Sequence, residues 1–153
     1  LGFNYRMTDL QAALGLSQME RLDEYVARRH ELARRYDELL AELPVITPWQ
    51  HPDSYSALHL YVIHLELDKI SETRRGVFEA LRELGIGVNL HYIPVHTQPY
   101  YQRMGFLASD FPDAESYYEK AISLPIYPTM TFEQQSEVVR VLANILDGAS
   151  KKT

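Results

Sequence analysis

His91, Tyr92 and His96 lie where an apolar run, Ile86 to Ile93, meets Pro94 and passes into an irregular segment. Residues on a loop at the carboxyl end of a strand favour ligand contact, and that is the first reading of these three side chains. The competing reading is a packed loop with exposed imidazoles. Six of the 11 tyrosines (Tyr92, Tyr100, Tyr101, Tyr117, Tyr118 and Tyr127) fall in the same region. An apolar ring with a polar tip suits subunit interfaces, sugar or base stacking, and core packing, and packing accounts for most of them. A second cluster opens the chain. Asn4, Tyr5 and Arg6 set an amide, a phenol and a guanidinium in succession just before a helix start. Backbone N–H groups and a positive dipole end there favour an anion.

The six histidines also raise a metal site. His59 and His64 are five apart on an expected strand, so they point to opposite faces. His91 and His96 are separated by Pro94, and neither pair has the spacing that sets two imidazoles on one helical face. No metal site is assembled from these motifs. His59 and His64 read as buried histidines bonded to backbone.

The elements that must position these groups follow from periodicity. Thr8 and Gln11 have the spacing of a capping box and open a helix that runs toward Leu43, ended by Pro44. Met19, Leu22, Val26, Ala33, Tyr36, Leu40 and Leu43 form one apolar stripe, with Arg29 as its polar member. At 1.5 Å per residue that helix would reach about 54 Å, so it bends between Gly15 and Glu20 or projects onto a partner. Val45 to Thr47 reads as a short strand. Ala57 to Leu67 reads as a central strand, apolar on both faces. Ser71 caps a helix to about Leu84, stopped by Gly85. Ile86 to Ile93 is a strand with Gly87, Asn89 and His91 on its polar face. Short tyrosine-rich helices fill 95 to 121, Ile122 to Ile126 is a possible strand, and Thr131 with Gln134 caps a last helix to Asp147. The expected class is α+β: a long N-terminal helix, then a small sheet with helices packed on it. The expected units are an interface helix over 1–43, a small α+β domain over 44–148, and a tail over 149–153.

With 153 residues, 46% hydrophobic and 24% charged, the composition is that of an ordered globular domain. A formal charge of -6 argues against a nucleic-acid or anionic-membrane surface. The absence of cysteine excludes disulfides, thiolate metal sites and thiol catalysis in this chain. No apolar run reaches membrane-span length, and a cytoplasmic protein is expected. The chain opens on Leu1, and it is read as a fragment or as a protein lacking its earlier residues.

Four segments together resemble the C-terminal part of the DegT/StrS-type nucleotide-sugar aminotransferases. These are Gly2-Phe3-Asn4-Tyr5-Arg6-Met7-Thr8-Asp9-Leu10-Gln11-Ala12-Ala13-Leu14-Gly15, His59-Leu60-Tyr61, Gly85-Ile86 with His91-Tyr92-Ile93-Pro94-Val95-His96, and Ala114-Glu115 with Ser123-Leu124-Pro125. Within the family the likeness is strongest to the branch that aminates UDP-keto-sugars in pseudaminic acid synthesis. The resemblance implies the small C-terminal domain of a fold-type I enzyme that uses pyridoxal phosphate and works as a homodimer. The implied reaction transfers an amino group from glutamate to a nucleotide-linked keto-deoxysugar for cell-surface polysaccharide or glycan precursors. It implies that Asn4 donates to the cofactor phosphate of the neighbouring subunit and that Arg6 lies near the same site. It places His91, Tyr92 and His96 near the sugar-nucleotide pocket, in contact and not in proton transfer. The family's Schiff-base lysine lies upstream of the matched segment, and Lys69, Lys120, Lys151 and Lys152 do not stand in its motif. No catalytic residue is therefore expected in this chain, which alone should be inactive. The rival readings are a stand-alone dimerisation module without catalysis and, more remotely, a His/Asp hydrolase.

Overall fold

The computed structural model describes residues 5–150, and Asn4 lies outside them. In chain order these residues form α1 (Asp9–Met19), α2 (Leu22–Leu40), β1 (Val45–Ile46), β2 (Tyr61–Leu65) and α3 (Arg74–Glu83). A 3-10 turn (Val95–Thr97), the one-turn helix α4 (Pro99–Gln102), a second 3-10 turn (Ala108–Asp110), α5 (Pro112–Lys120), β3 (Ala121–Leu124) and α6 (Phe132–Ser150) follow. The class is α+β, a small sheet with helices packed on it, as the periodicity predicts.

The long helical run is broken at Glu20–Arg21. The Thr8–Gln11 capping box starts α1, each side chain pairing with the other residue's backbone N–H. No residue of α1 is buried. The break lets α2 turn its own stripe inward: Leu32, Ala33, Tyr36 and Leu40 are buried at the spacing of one helical face. That stripe meets α6, where the wholly buried Gln135 donates to the Leu32 carbonyl at 2.6 Å. Arg28 and Arg35 lie over the Phe132 ring at 4.6 and 4.9 Å and join the same two helices. The Thr131–Gln134 capping box opens α6 as predicted. The helix runs through Gly148 to Ser150 instead of stopping at Asp147.

The three strands are antiparallel in the order β1-β2-β3, so the predicted central strand is central. It is shorter than predicted. Leu58 sits at φ 48°, outside extended backbone, and residues 57–60 join no strand. His59 is accordingly exposed, which corrects its reading as a buried histidine. Tyr61, Ile63 and Leu65 point into the core shared with α2, α3 and α6, and the Tyr61 ring stacks on Tyr36 at 4.8 Å. Burying each such side chain contributes roughly 1.5–3 kcal/mol. Val62 and His64, on the other face, are half-buried. Two further predictions shift. Thr73, not Ser71, caps α3 by accepting from the Gly76 N–H. The strand expected over Ile86 to Ile93 reduces to one antiparallel bridge, Asn89 with Ser123. The Val88 N–H turns back to the Ile86 carbonyl at 2.9 Å, which kinks the segment before it can run along β3. Glycine at 85, with φ 82°, supplies the left-handed residue that ends α3.

Candidate functional site

Strand register assembles the candidate site on the sheet face away from the core. Val62 stands opposite Ser123 and His64 opposite Ala121, so these four share one face. The bridge at Asn89 continues that face past β3. It makes His91 the diagonal neighbour of Ser123, within side-chain reach. Their contact is direct: His91 Nδ1 and Ser123 Oγ are 2.7 Å apart. Ser123 is 4% exposed, and its backbone exchanges both hydrogen bonds with Asn89, at 2.8 and 3.2 Å. His91 is half-buried, and Tyr92 beside it is 69% exposed.

His64 lies on the same face and meets the edge of Tyr117 from α5, ring centroids 4.6 Å apart. Burial, and then the Lys120 charge, lowers its pKa from the usual histidine value and so favours the neutral ring. His96 has a different position. It is 8% exposed, its Nε2 lies 2.8 Å from Glu115 Oε1, and its ring leans on Phe111 at 4.7 Å. Those contacts tie the 3-10 turn after Pro94 to α5. One ring nitrogen of His96 is thus engaged inside the protein, while Tyr92 is open to solvent.

Arg6 lies elsewhere. It is exposed in the loop before α1, where Tyr5, Arg6, Met7 and Gln11 line a shallow cleft of about 470 Å³. No residue of the His91 loop lines that cleft. The Thr8–Gln11 box satisfies two backbone donors of the helix start, and the Asp9 and Leu10 amides are left without intrahelical partners by helix geometry. Asp9 adds negative charge to that turn.

A cleft of about 820 Å³ is lined by Gly85, Gly87, Tyr127, Met130, Gln134 and Glu137 among others and does not touch His91. Two of its polar side chains are engaged within the protein. Gln134 accepts from the Thr131 amide and the Tyr127 hydroxyl, and Glu137 pairs with Arg140. That cleft reads as uncovered surface and not as a reaction site.

Three contributors were not singled out by residue type. Ser123 and Glu115 stood in the sequence only as members of short matched segments. Arg29 stood there as the polar member of an apolar stripe, and its Nη1 lies 3.0–3.1 Å from the carbonyl oxygens of Leu58, His59 and Ile126. Alternation along a strand signals which residues share a face, but the pairing of Asn89 with Ser123 had to be known first.

Comparison with known proteins follows the same outline. The model of the DegT/DnrJ/EryC1/StrS aminotransferase family matches residues 1–143. SpsC, the spore coat polysaccharide biosynthesis protein of Bacillus subtilis (strain 168), is 43% identical over 151 residues, covering 97% of this chain and 39% of SpsC. Spr1654 of Streptococcus pneumoniae, solved in its PLP-form, aligns with a TM-score of 0.87 and 27% identity over 94% of this chain and 37% of that one. Helicobacter pylori PseC, an aminotransferase involved in the biosynthesis of pseudoaminic acid, aligns with a TM-score of 0.85 and 29% identity over 97% and 40%. The chain spans about two fifths of the length of these relatives. The matched family model covers nearly the whole chain and the fold agrees, so this chain belongs to the DegT/DnrJ/EryC1/StrS aminotransferase family.

Proposed function

We propose that this chain is the C-terminal part of a sugar aminotransferase that uses pyridoxal phosphate to move an amino group from glutamate to a nucleotide-linked keto-deoxysugar. The observation that carries this reading is the family match over residues 1–143. The polysaccharide role named for SpsC and the aminotransferase role named for PseC support a place in cell-surface glycan precursor synthesis. The enzyme is cytoplasmic and homodimeric in this reading. Residues 1–43 serve the interface and the cofactor phosphate, and the rest of the chain from residue 44 serves as the small domain.

The residues present fit a phosphate at one point, the helix start that Arg6 precedes. Arg6 and Asn4 would hold the cofactor phosphate, Arg6 as a charge and Asn4 as a neutral amide donor from the neighbouring subunit. When bound, pyridoxal phosphate supplies the electron sink that carries the amino group between donor and acceptor. His91 and Tyr92 bind and orient the sugar nucleotide. His96, anchored on Glu115, holds the shape of the loop that bears them. Proton transfer falls to the family's Schiff-base lysine in this reading, and none of Lys69, Lys120, Lys151 and Lys152 stands in its motif, so these 153 residues alone should turn over no substrate.

One observation also favours the rival reading of an interaction module without catalysis: α1 has no buried residue, and Leu10, Leu14, Leu16 and Met19 are all exposed. The full-length protein decides between them. Incubated with glutamate and a panel of UDP- and dTDP-keto-sugars, it should aminate at least one, whereas this chain alone should aminate none. A full-length protein that dimerises, binds no pyridoxal phosphate and aminates nothing would favour the module.

A further inference from the structure

Ser123 is buried in the middle of β3 with every backbone group committed. It stands opposite Val62 on one side and exchanges both hydrogen bonds with Asn89 on the other. Its side chain therefore has no backbone latitude, and among the described residues its hydroxyl has one partner, His91 Nδ1 at 2.7 Å. The proton between them can belong to either atom. If Nδ1 carried it, the serine O–H would be left inside the protein with nothing to accept it. If the serine donates, the neutral imidazole carries its own proton on Nε2, the nitrogen turned away from Ser123 on a half-buried ring. Only the second arrangement leaves no buried donor unpaired, and an unpaired buried donor shifts such a balance by about tenfold or more.

We infer that Ser123 is a positioning residue that locks His91 as the Nε2–H tautomer, so that the ring presents a hydrogen-bond donor to an acceptor oxygen of the nucleotide-linked sugar. The ligand part of this inference rests on the reading of His91 as a sugar-nucleotide contact; the tautomer part rests on the serine's surroundings alone. A donor at Nε2 suits the oxygen-rich face of a sugar or diphosphate. Rigid strand pairing, and not loop packing, aims it.

The test uses the full-length protein labelled with 15N-histidine, with the His91 signals assigned by their loss in His91→Ala. With the ring neutral, the wild type should show Nε2 protonated and Nδ1 bare. Ser123→Ala should move both nitrogens toward intermediate, averaged positions, and Ser123→Thr, which keeps the hydroxyl on a side chain suited to a strand, should restore the pattern. Ser123→Ala should raise KM for the keto-sugar about five- to tenfold and leave the glutamate half-reaction and the Tm unchanged, with Ser123→Thr again recovering. A wild-type ring protonated on Nδ1, or His91 signals indifferent to Ser123→Ala, would overturn the lock. A lock that behaves as expected while both Ser123→Ala and His91→Ala leave the sugar KM untouched would overturn the ligand part, and with it the reading of His91 as a sugar contact.

Discussion

Arg29 should be the costliest single charge to remove from this domain. Its Nη1 faces three carbonyl oxygens: Leu58 and His59 at 3.1 Å each, in the segment before β2, and Ile126 at 3.0 Å, just after β3. That nitrogen carries two hydrogens, so three acceptors share about two bonds. A hydrogen bond from a charged donor contributes roughly 1.5–3 kcal/mol, and a half-buried guanidinium belongs at the low end, which gives about 3 kcal/mol for the set. Burial pulls the Arg29 pKa below its usual value, yet the group stays charged at any physiological pH. Arg29→Met keeps the apolar stem and deletes the donors. It leaves the carbonyls of the buried Leu58 and Ile126 without their partner, and water can rescue only the exposed His59. At about 2–4 °C per kcal/mol for a domain of this size, Tm should fall by roughly 6–12 °C, with the urea m-value unchanged. Arg75→Ala breaks an exposed ion pair with Glu79 and is the control; it should move Tm immeasurably. A fall below about 2 °C for Arg29→Met, or equal effects of the two variants, would show that the three contacts do not hold the Leu58 turn against the sheet.

Two further outcomes are expected. Burial raises the pKa of Tyr36, and burial followed by the hydrogen bond to Asp37 raises that of Tyr61. Their stabilising effect is complete below about pH 10, the unfolded tyrosine value, and is lost as pH climbs toward the folded values. Stability should therefore fall above about pH 10, less steeply in Tyr36→Phe than in the wild type, and parallel slopes for the two proteins would contradict this. On the proposed role of Asn4, a charge-assisted contact to the cofactor phosphate worth roughly 1.5–3 kcal/mol, Asn4→Ala in the full-length protein should weaken cofactor retention about ten- to a hundredfold. A hybrid dimer pairing an Asn4→Ala subunit with one lacking the cofactor lysine should regain about half of the wild-type activity if Asn4 serves the neighbouring site, and a dead hybrid would refute that.

Local rules made much of this molecule legible in its residues. The two Ser/Thr-x-x-Glu/Gln-type boxes at Thr8 and Thr131 predict helix starts because their hydrogen bonds close within four residues, and both boxes form. The alternation of Tyr61, Ile63 and Leu65 predicts a central strand because both of its faces needed cover. The family resemblance rested on contiguous segments, which survive without knowledge of any long-range contact. Long-range pairing decided the rest. Whether Ile86 to Ile93 formed a strand depended on how β3 received it, and the kink at Val88 left only the Asn89 bridge. His59 and His64 have the same residue type and similar neighbours in sequence. One is exposed and one rests on Tyr117, because β2 starts only at Tyr61 and His59 is left outside it, next to the Leu58 turn that Arg29 holds from 29 residues upstream. The same holds at the candidate site. His91 is conspicuous by type, but Ser123, 32 residues later, becomes its partner only through register, and register is a property of the folded sheet that no local spacing encodes.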